Sequence, residues 1–287
     1  MKIFSWLTRI FSIVVLMFLS GGSTFALRSP SDQVRRYTRQ NEFEFVGWTL
    51  TSLSIKLGQF SLGVTEYLPE EERTALVLDY FDKLNQFQQK ERELEKLLGA
   101  PENSIQSEDV QSLREQTFEL RAGLDHIQPV VESILQEQVA FILGELGLGV
   151  GGEIVPPVAF KFTQLPLALI VSPREEIRMD ANIQLIPNLT IDQKIELEDR
   201  ISRELEVSTL IVNIGGIGLY QTMILESASL RWIVETIVHE WVHNYLTLRP
   251  LGLNYETSPE HRTMNETVAS LLVDEFGYYV LEHYYPE

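Results

Sequence analysis

Residues 230–248 constrain this chain more than any other stretch, because an apolar helical period there carries two histidines and a carboxylate. Leu230, Ile233, Val234, Ile237, Val238, Trp241 and Val242 follow the i, i+3, i+4, i+7 spacing of a buried helix, with no Gly or Pro among them. Pro250 and Gly252 stop the run, so the spacing predicts a helix over about residues 229–248. Inside it lies His239-Glu240-Trp241-Val242-His243. Residues four apart stand one above the other on a helix, so both imidazoles reach the same point in space. Core histidines satisfied by hydrogen bonds would accommodate this; a metal ion would use both rings and the neighbouring carboxylate together.

The pattern is H-E-x-x-H, which zinc-dependent hydrolases carry. His239 and His243 are candidate ligands, and Glu240 is placed to take a proton from a water activated by the metal. A catalytic zinc takes a third protein ligand and keeps a fourth position open. Downstream comes Asn265-Glu266-Thr267-Val268-Ala269, at the start of a second apolar helix. Its period (Val268, Leu271, Leu272, Glu275, Phe276, Tyr279) suits packing on the first helix, and Thr263 or Asn265 would cap it, with Glu266 in the first turn.

In this order and separation the two stretches resemble the gluzincin metallopeptidases, the thermolysin-like and aminopeptidase-like clan. The resemblance covers about residues 207–275. It implies that His239, His243 and Glu266 hold one catalytic Zn2+ and that Glu240 is the general base in peptide-bond hydrolysis. Two features depart from the family. The loop marked by Pro250, Gly252 and Pro259 is a few residues longer than in the best-known members. Ser270 stands where thermolysin-like members carry an Asp that orients the first His, and Asp274 lies too far along the helix to replace it.

Other third ligands fit less well. His261 would suit a metzincin, but Leu246 and Arg249 occupy the Gly and final His positions of that pattern. His261 reads instead as a surface loop residue or a transition-state hydrogen-bond donor. Asp274 and Glu275 have poorer local context than Glu266. Tyr245, Tyr255, Tyr278, Tyr279, Tyr284 and Tyr285 are all near enough in sequence to stabilise a developing oxyanion, and the sequence does not choose among them.

Residues 205–213 and 218–224 read as strands around Gly215-Gly216. In gluzincins a sheet-edge strand pairs with the extended substrate backbone. The resemblance implies that role for residues 218–224, with an ordinary core strand as the alternative. Gly215-Gly216-Ile217-Gly218 lacks the spacing of a nucleotide-binding loop. Residues 158–162, 168–172 and 183–186 are further strand candidates, and 191–205 reads as a helix.

The preceding part is helical in pattern. Val46, Leu50, Leu53, Leu57 and Phe60 trace a stripe, and residues 70–98, 107–126 and 129–146 read as helices. Charge runs such as Lys90-Glu91-Arg92-Glu93 are solvated faces or a partner surface. The expected fold class is α+β: a helical region at 27–148, a boundary in the glycine-rich stretch near 150, and a catalytic domain at 153–287. That domain holds a small sheet followed by a gluzincin-like helix pair.

Charge is distributed unevenly. Residues 1–40 carry six basic residues and one acidic, so a chain of net charge −18 leaves −23 for the remainder. An acidic body argues against a nucleic-acid partner. The absence of cysteine excludes disulfides, a Cys-ligated zinc and a lipidated Cys. Lys2 and Arg9 precede an apolar run at 10–19 and small residues up to Ala26, the pattern of an export signal at 1–26. Alternatively, residues 10–27 form a membrane anchor. The expectation is an exported zinc metallopeptidase of the cell envelope, secreted or membrane-anchored, acting on a peptide or protein. No G-x-M-E-N-like stretch precedes the motif, which points to an endopeptidase, or to neither class, rather than to an aminopeptidase. A non-catalytic envelope protein with a structural zinc and a partner-recruiting helical half is the competing expectation. Oligomeric state is not legible.

Overall fold

The structure, a computed structural model, describes residues 29–49, 52, 68–99, 108–176, 178–217, 221–255 and 257–286. The expected leader at 1–26 lies outside them, as do Leu50, Leu53, Leu57 and Phe60 of the first stripe. Among the described residues no helix is long and apolar enough to cross a membrane.

Helices α1 (Pro30–Thr38), α2 (Glu70–Gly99) and α3 (Glu108–Glu145) lead, followed by strands β1 (Phe160–Phe162), β2 (Leu167–Pro173) and β3 (Ala181–Leu185). Then come α4 (Ile191–Glu204), β4 (Val207–Val212), β5 (Gly216–Ile217) and β6 (Thr222–Ile224). The last elements are α5 (Leu230–Thr247), α6 (Pro250–Leu253) and α7 (Pro259–Tyr284). The fold class is α+β. Packing divides the chain into two compact units, one of residues up to 42 with 167–212, the other of 43–166 with 213–287. The glycine-rich stretch near 150 falls inside the second unit, because α2, α3, β1, α5 and α7 all contribute to one hydrophobic core.

In the first unit the antiparallel sheet β3-β2-β4 turns one face to α1 and α4. Leu167, Leu169 and Val171 alternate inward along β2 and meet Val34, Leu197 and Ile201 from the two helices. Both edges are covered. Ile211 N–H on β4 donates to Glu198 Oε1 of α4, and Ile186 N–H beyond β3 donates to the Asn41 carbonyl at 2.8 Å.

In the second unit α2 and α3 run antiparallel, tied by Lys90 to Gln116 at one end and Gln138 to Glu70 at the other. Where Pro129 predicts a break between helices at 107–126 and 129–146, the structure has one continuous helix with the proline inside it. Proline removes one helical hydrogen bond and crowds the preceding turn, at a cost of roughly 3 kcal/mol. The carbonyl four residues earlier belongs to Asp125, an exposed residue. Both sides of the proline then bury side chains in the same core: Leu124 before it, and Val131, Ile134 and Leu135 after it. Each such burial is worth about 1.5–3 kcal/mol, enough together to outweigh the break.

The second sheet has the order β1-β6-β5, with β1 parallel and β5 antiparallel to β6. The described part of residues 218–224 is therefore not the substrate-facing edge that the resemblance implies. Residues 218–220 lie outside the described residues, and Thr222–Ile224 is the central strand with all three residues buried. Among the described residues the edges are β1 and β5.

Candidate metal centre

Helix α5 spans the predicted stretch. The Ser229 hydroxyl caps its start by accepting the Trp232 N–H at 3.3 Å. Its buried residues Ile233, Val234, Ile237, Val238, Trp241 and Val242 hold it in the core. At its far end Pro250 opens α6, which folds back against the last turn. A Cβ on Gly252 would stand 2.2 Å from the Leu246 carbonyl oxygen, so only glycine permits this reversal.

Helix α7 begins earlier than Thr263 or Asn265. Ser258 is its cap, Pro259 opens it, and Ser258 Oγ accepts the His261 N–H at 3.3 Å. Glu266 is thus about two turns inside rather than in the first turn. The buried face runs through Asn265, Ala269, Phe276 and Val280, while Leu271, Glu275 and Tyr279 of the expected stripe are exposed. Ala269 is small enough for α7 to close on α5, and this rotation carries Asn265 inward.

The helices bring His239, His243 and Glu266 together, and no other such group of possible metal ligands occurs among the described residues. His239 Nε2 and His243 Nε2 are 3.0 Å apart, and each lies 3.5 Å from Glu266 Oε2. The point equidistant from the three atoms is about 1.9 Å from each. An ion standing slightly out of their plane would meet them at about 2.0–2.2 Å, the bond lengths of a tetrahedral centre with nitrogen and carboxylate ligands.

Two neighbours set the ligands for this role. His243 Nδ1 is 2.7 Å from Asn265 Oδ1. The amide oxygen can only accept, so Nδ1 donates to it, and in the neutral ring this leaves Nε2 with its lone pair. The Tyr255 hydroxyl donates to Glu266 Oε1 at 2.7 Å, leaving Oε2 toward the histidines. The electrostatics agree. Hydrogen bonds from His239, then His243, together with one from Tyr255, hold the Glu266 carboxyl well below the usual carboxylate range, against the opposing effect of burial. Burial favours the neutral His243 ring, but the hydrogen bond and charge of Glu266 raise its pKa above the ordinary value.

Glu240 is buried, and that burial raises its pKa above the ordinary value, with the His243 and His239 charges opposing and the Glu266 charge adding. Strand β5 lies against it. A Cβ on Gly216 would fall 2.6 Å from Glu240 Oε1, so glycine there lets the strand approach the carboxylate.

The remaining candidates fall elsewhere. His261 is in the first turn of α7, with Nδ1 3.1 Å from Ser258 Oγ and 3.2 Å from Thr257 Oγ1, so it belongs to the helix start and not to a surface loop. Ser270, Asp274 and Glu275 are exposed. Tyr245 stacks on Trp241 and meets Arg249, whereas the Tyr285 hydroxyl donates to Gln138 of α3. Tyr278, Tyr279 and Tyr284 lie at least about 18 Å along α7 from Glu266. Asn265 and Tyr255 were not legible as positioning residues. Adjacency to Glu266 could have flagged Asn265, but nothing in the sequence singles out Tyr255 from the other tyrosines.

Compared with known proteins, the chain matches no family model, no curated protein and no solved structure.

Proposed function

We propose that this chain is a zinc-dependent hydrolase of peptide bonds, with one zinc ion on His239, His243 and Glu266 and with Glu240 as general base. The observation that carries the reading is the triangle of His239 Nε2, His243 Nε2 and Glu266 Oε2, with the buried Glu240 carboxylate next to the first histidine in the chain. Two imidazole nitrogens and one carboxylate oxygen are the donor set of hydrolytic zinc. When bound, zinc supplies a Lewis acid that acidifies a water and polarises a carbonyl. Glu240 takes the proton of the attacking water on its carboxylate and returns it to the leaving amine nitrogen. Asn265 keeps the His243 proton on Nδ1 throughout, so Nε2 remains a ligand. The short edge strand at Gly216, against Glu240, supports an extended peptide backbone as substrate.

The test pairs zinc titration of the chelator-treated protein with cleavage of a fluorescently labelled unfolded protein. Glu240→Gln should bind zinc as the native chain does and lose about 10²–10⁴ in activity. Glu266→Ala should bind zinc at least about tenfold more weakly. Cleavage that persisted in Glu240→Gln would overturn the mechanism, and native affinity in Glu266→Ala would overturn the ligand set.

A further inference from the structure

We infer that Tyr255 is a positioning residue of the metal centre, one that makes Glu266 a single-oxygen ligand and ties the α5–α7 loop to metal binding. This rests on the zinc reading above. A half-exposed carboxylate next to a cation can bind through one oxygen or both. Here the two oxygens are not equivalent. Oε2 lies 3.5 Å from each histidine Nε2, while Oε1 accepts the Tyr255 hydroxyl proton at 2.7 Å. Turning Oε1 onto the ion would pull it away from that hydroxyl, so the bond to Tyr255 favours Oε2 as the ligand.

Tyr255 is held firmly enough for this. Its ring meets the His243 ring edge to face, with centroids 6.2 Å apart, and the Arg262 guanidinium lies 5.6 Å from its centroid. It therefore touches one ligand through its ring and another through its hydroxyl. The backbone that carries it is also stitched: Tyr255 N–H donates to the Gly252 carbonyl at 3.1 Å, and Asn254 Nδ2 donates to the Pro250 carbonyl at 2.7 Å. Thr257 Oγ1 donates to the Asn254 carbonyl at 2.7 Å. The connection between α5 and α7 is thus not slack; it contains α6 and the turn that delivers Tyr255 to the carboxylate.

Tyr255→Phe keeps the ring against His243 and removes only the hydroxyl. Cobalt(II) serves as the spectroscopic probe, since tetrahedral cobalt absorbs visible light more strongly than five- or six-coordinate cobalt. The native chain loaded with cobalt should show the intense tetrahedral band, and Tyr255→Phe a weaker one as Glu266 adds its second oxygen. Zinc affinity should fall about tenfold, the lower end of effects for partners of metal ligands. On metal binding, amide hydrogen exchange over residues 249–258 should slow in the native chain and change less in the variant. An unchanged cobalt spectrum with unchanged zinc affinity in Tyr255→Phe overturns the inference, whatever happens to turnover. A drop in kcat alone would make Tyr255 an oxyanion donor instead and overturn it too. Failure of the native chain to bind either metal overturns both this inference and the zinc reading.

Discussion

The two edges of the β1-β6-β5 sheet are finished in opposite ways. On the β1 side, α3 turns a ladder of side chains four residues apart onto the strand backbone. Gln136 Nε2 donates to the Phe160 carbonyl at 2.8 Å, and Glu132 Oε1 accepts the Phe162 N–H at 2.8 Å. Gln128 Nε2 bridges Glu132 and the Phe162 carbonyl. Nothing comparable covers β5 among the described residues, and β5 is the edge that approaches Glu240. A free strand edge invites pairing with another backbone, and proteins generally blunt such edges. In this sheet the β1 edge is tied down, and among the described residues the β5 edge beside Glu240 has no strand partner. The sealed edge contributes stability; the β5 edge is the one to which the proposed function assigns a substrate backbone.

Substitutions on the two sides should therefore separate cleanly. The largest effect is expected from Gly216→Ala, whose Cβ pushes the Glu240 carboxylate out of place. Displacing a catalytic group by about 1 Å costs about 10²-fold in turnover. Zinc affinity and melting temperature should stay near native, and native turnover would mean that β5 does not govern the site. Next comes Glu132→Ala, which strands the buried Phe162 N–H. Unfolding free energy by urea titration should drop by about 2–3 kcal/mol, with turnover per folded molecule unchanged. A loss of turnover without a loss of stability would erase the distinction between the edges. The smallest effect is expected from Gln136→Leu, which keeps apolar volume and loses one bond to the Phe160 carbonyl. About 1 kcal/mol of stability should go, and no detectable loss would show that water replaces the glutamine.

Local pattern made some of this legible. The period of α5 and the spacing of His239, Glu240 and His243 are properties of a single helix, and the structure reproduces both. Glu266 was singled out by the N-E-x-x-A resemblance downstream of the histidines, and the apolar run around it marked its helix. What escaped depends on partners distant in the chain. The pairing of β1 with β6 joins strands on either side of the whole first sheet, so no local signal tells which strand is central. Asn265 is buried, and a period counted on apolar residues places the face of α7 one position away from it. Tyr255 reaches Glu266 through a turn built by Pro250 and Gly252, which the sequence announces only as a helix end. Pro129 misled for the converse reason: a strong local signal was outweighed by tertiary burial.

That uninterrupted α3 has a consequence for how the second unit comes apart. Between Val131 and Leu143 its inward residues are packed in the core, but before Leu124 only Val110 and Leu113 are buried, and α2 buries no residue after Phe87. One cooperative rod is therefore anchored at one end and weakly held at the other. Thermal energy is spent first at the weakly held end, where the α2–α3 hairpin can fray turn by turn. The proline-spanning base, Glu132 and the sheet edge it seals all lie on the far side of that fraying front, so the late turns of α2 and the early turns of α3 can unravel without disturbing them.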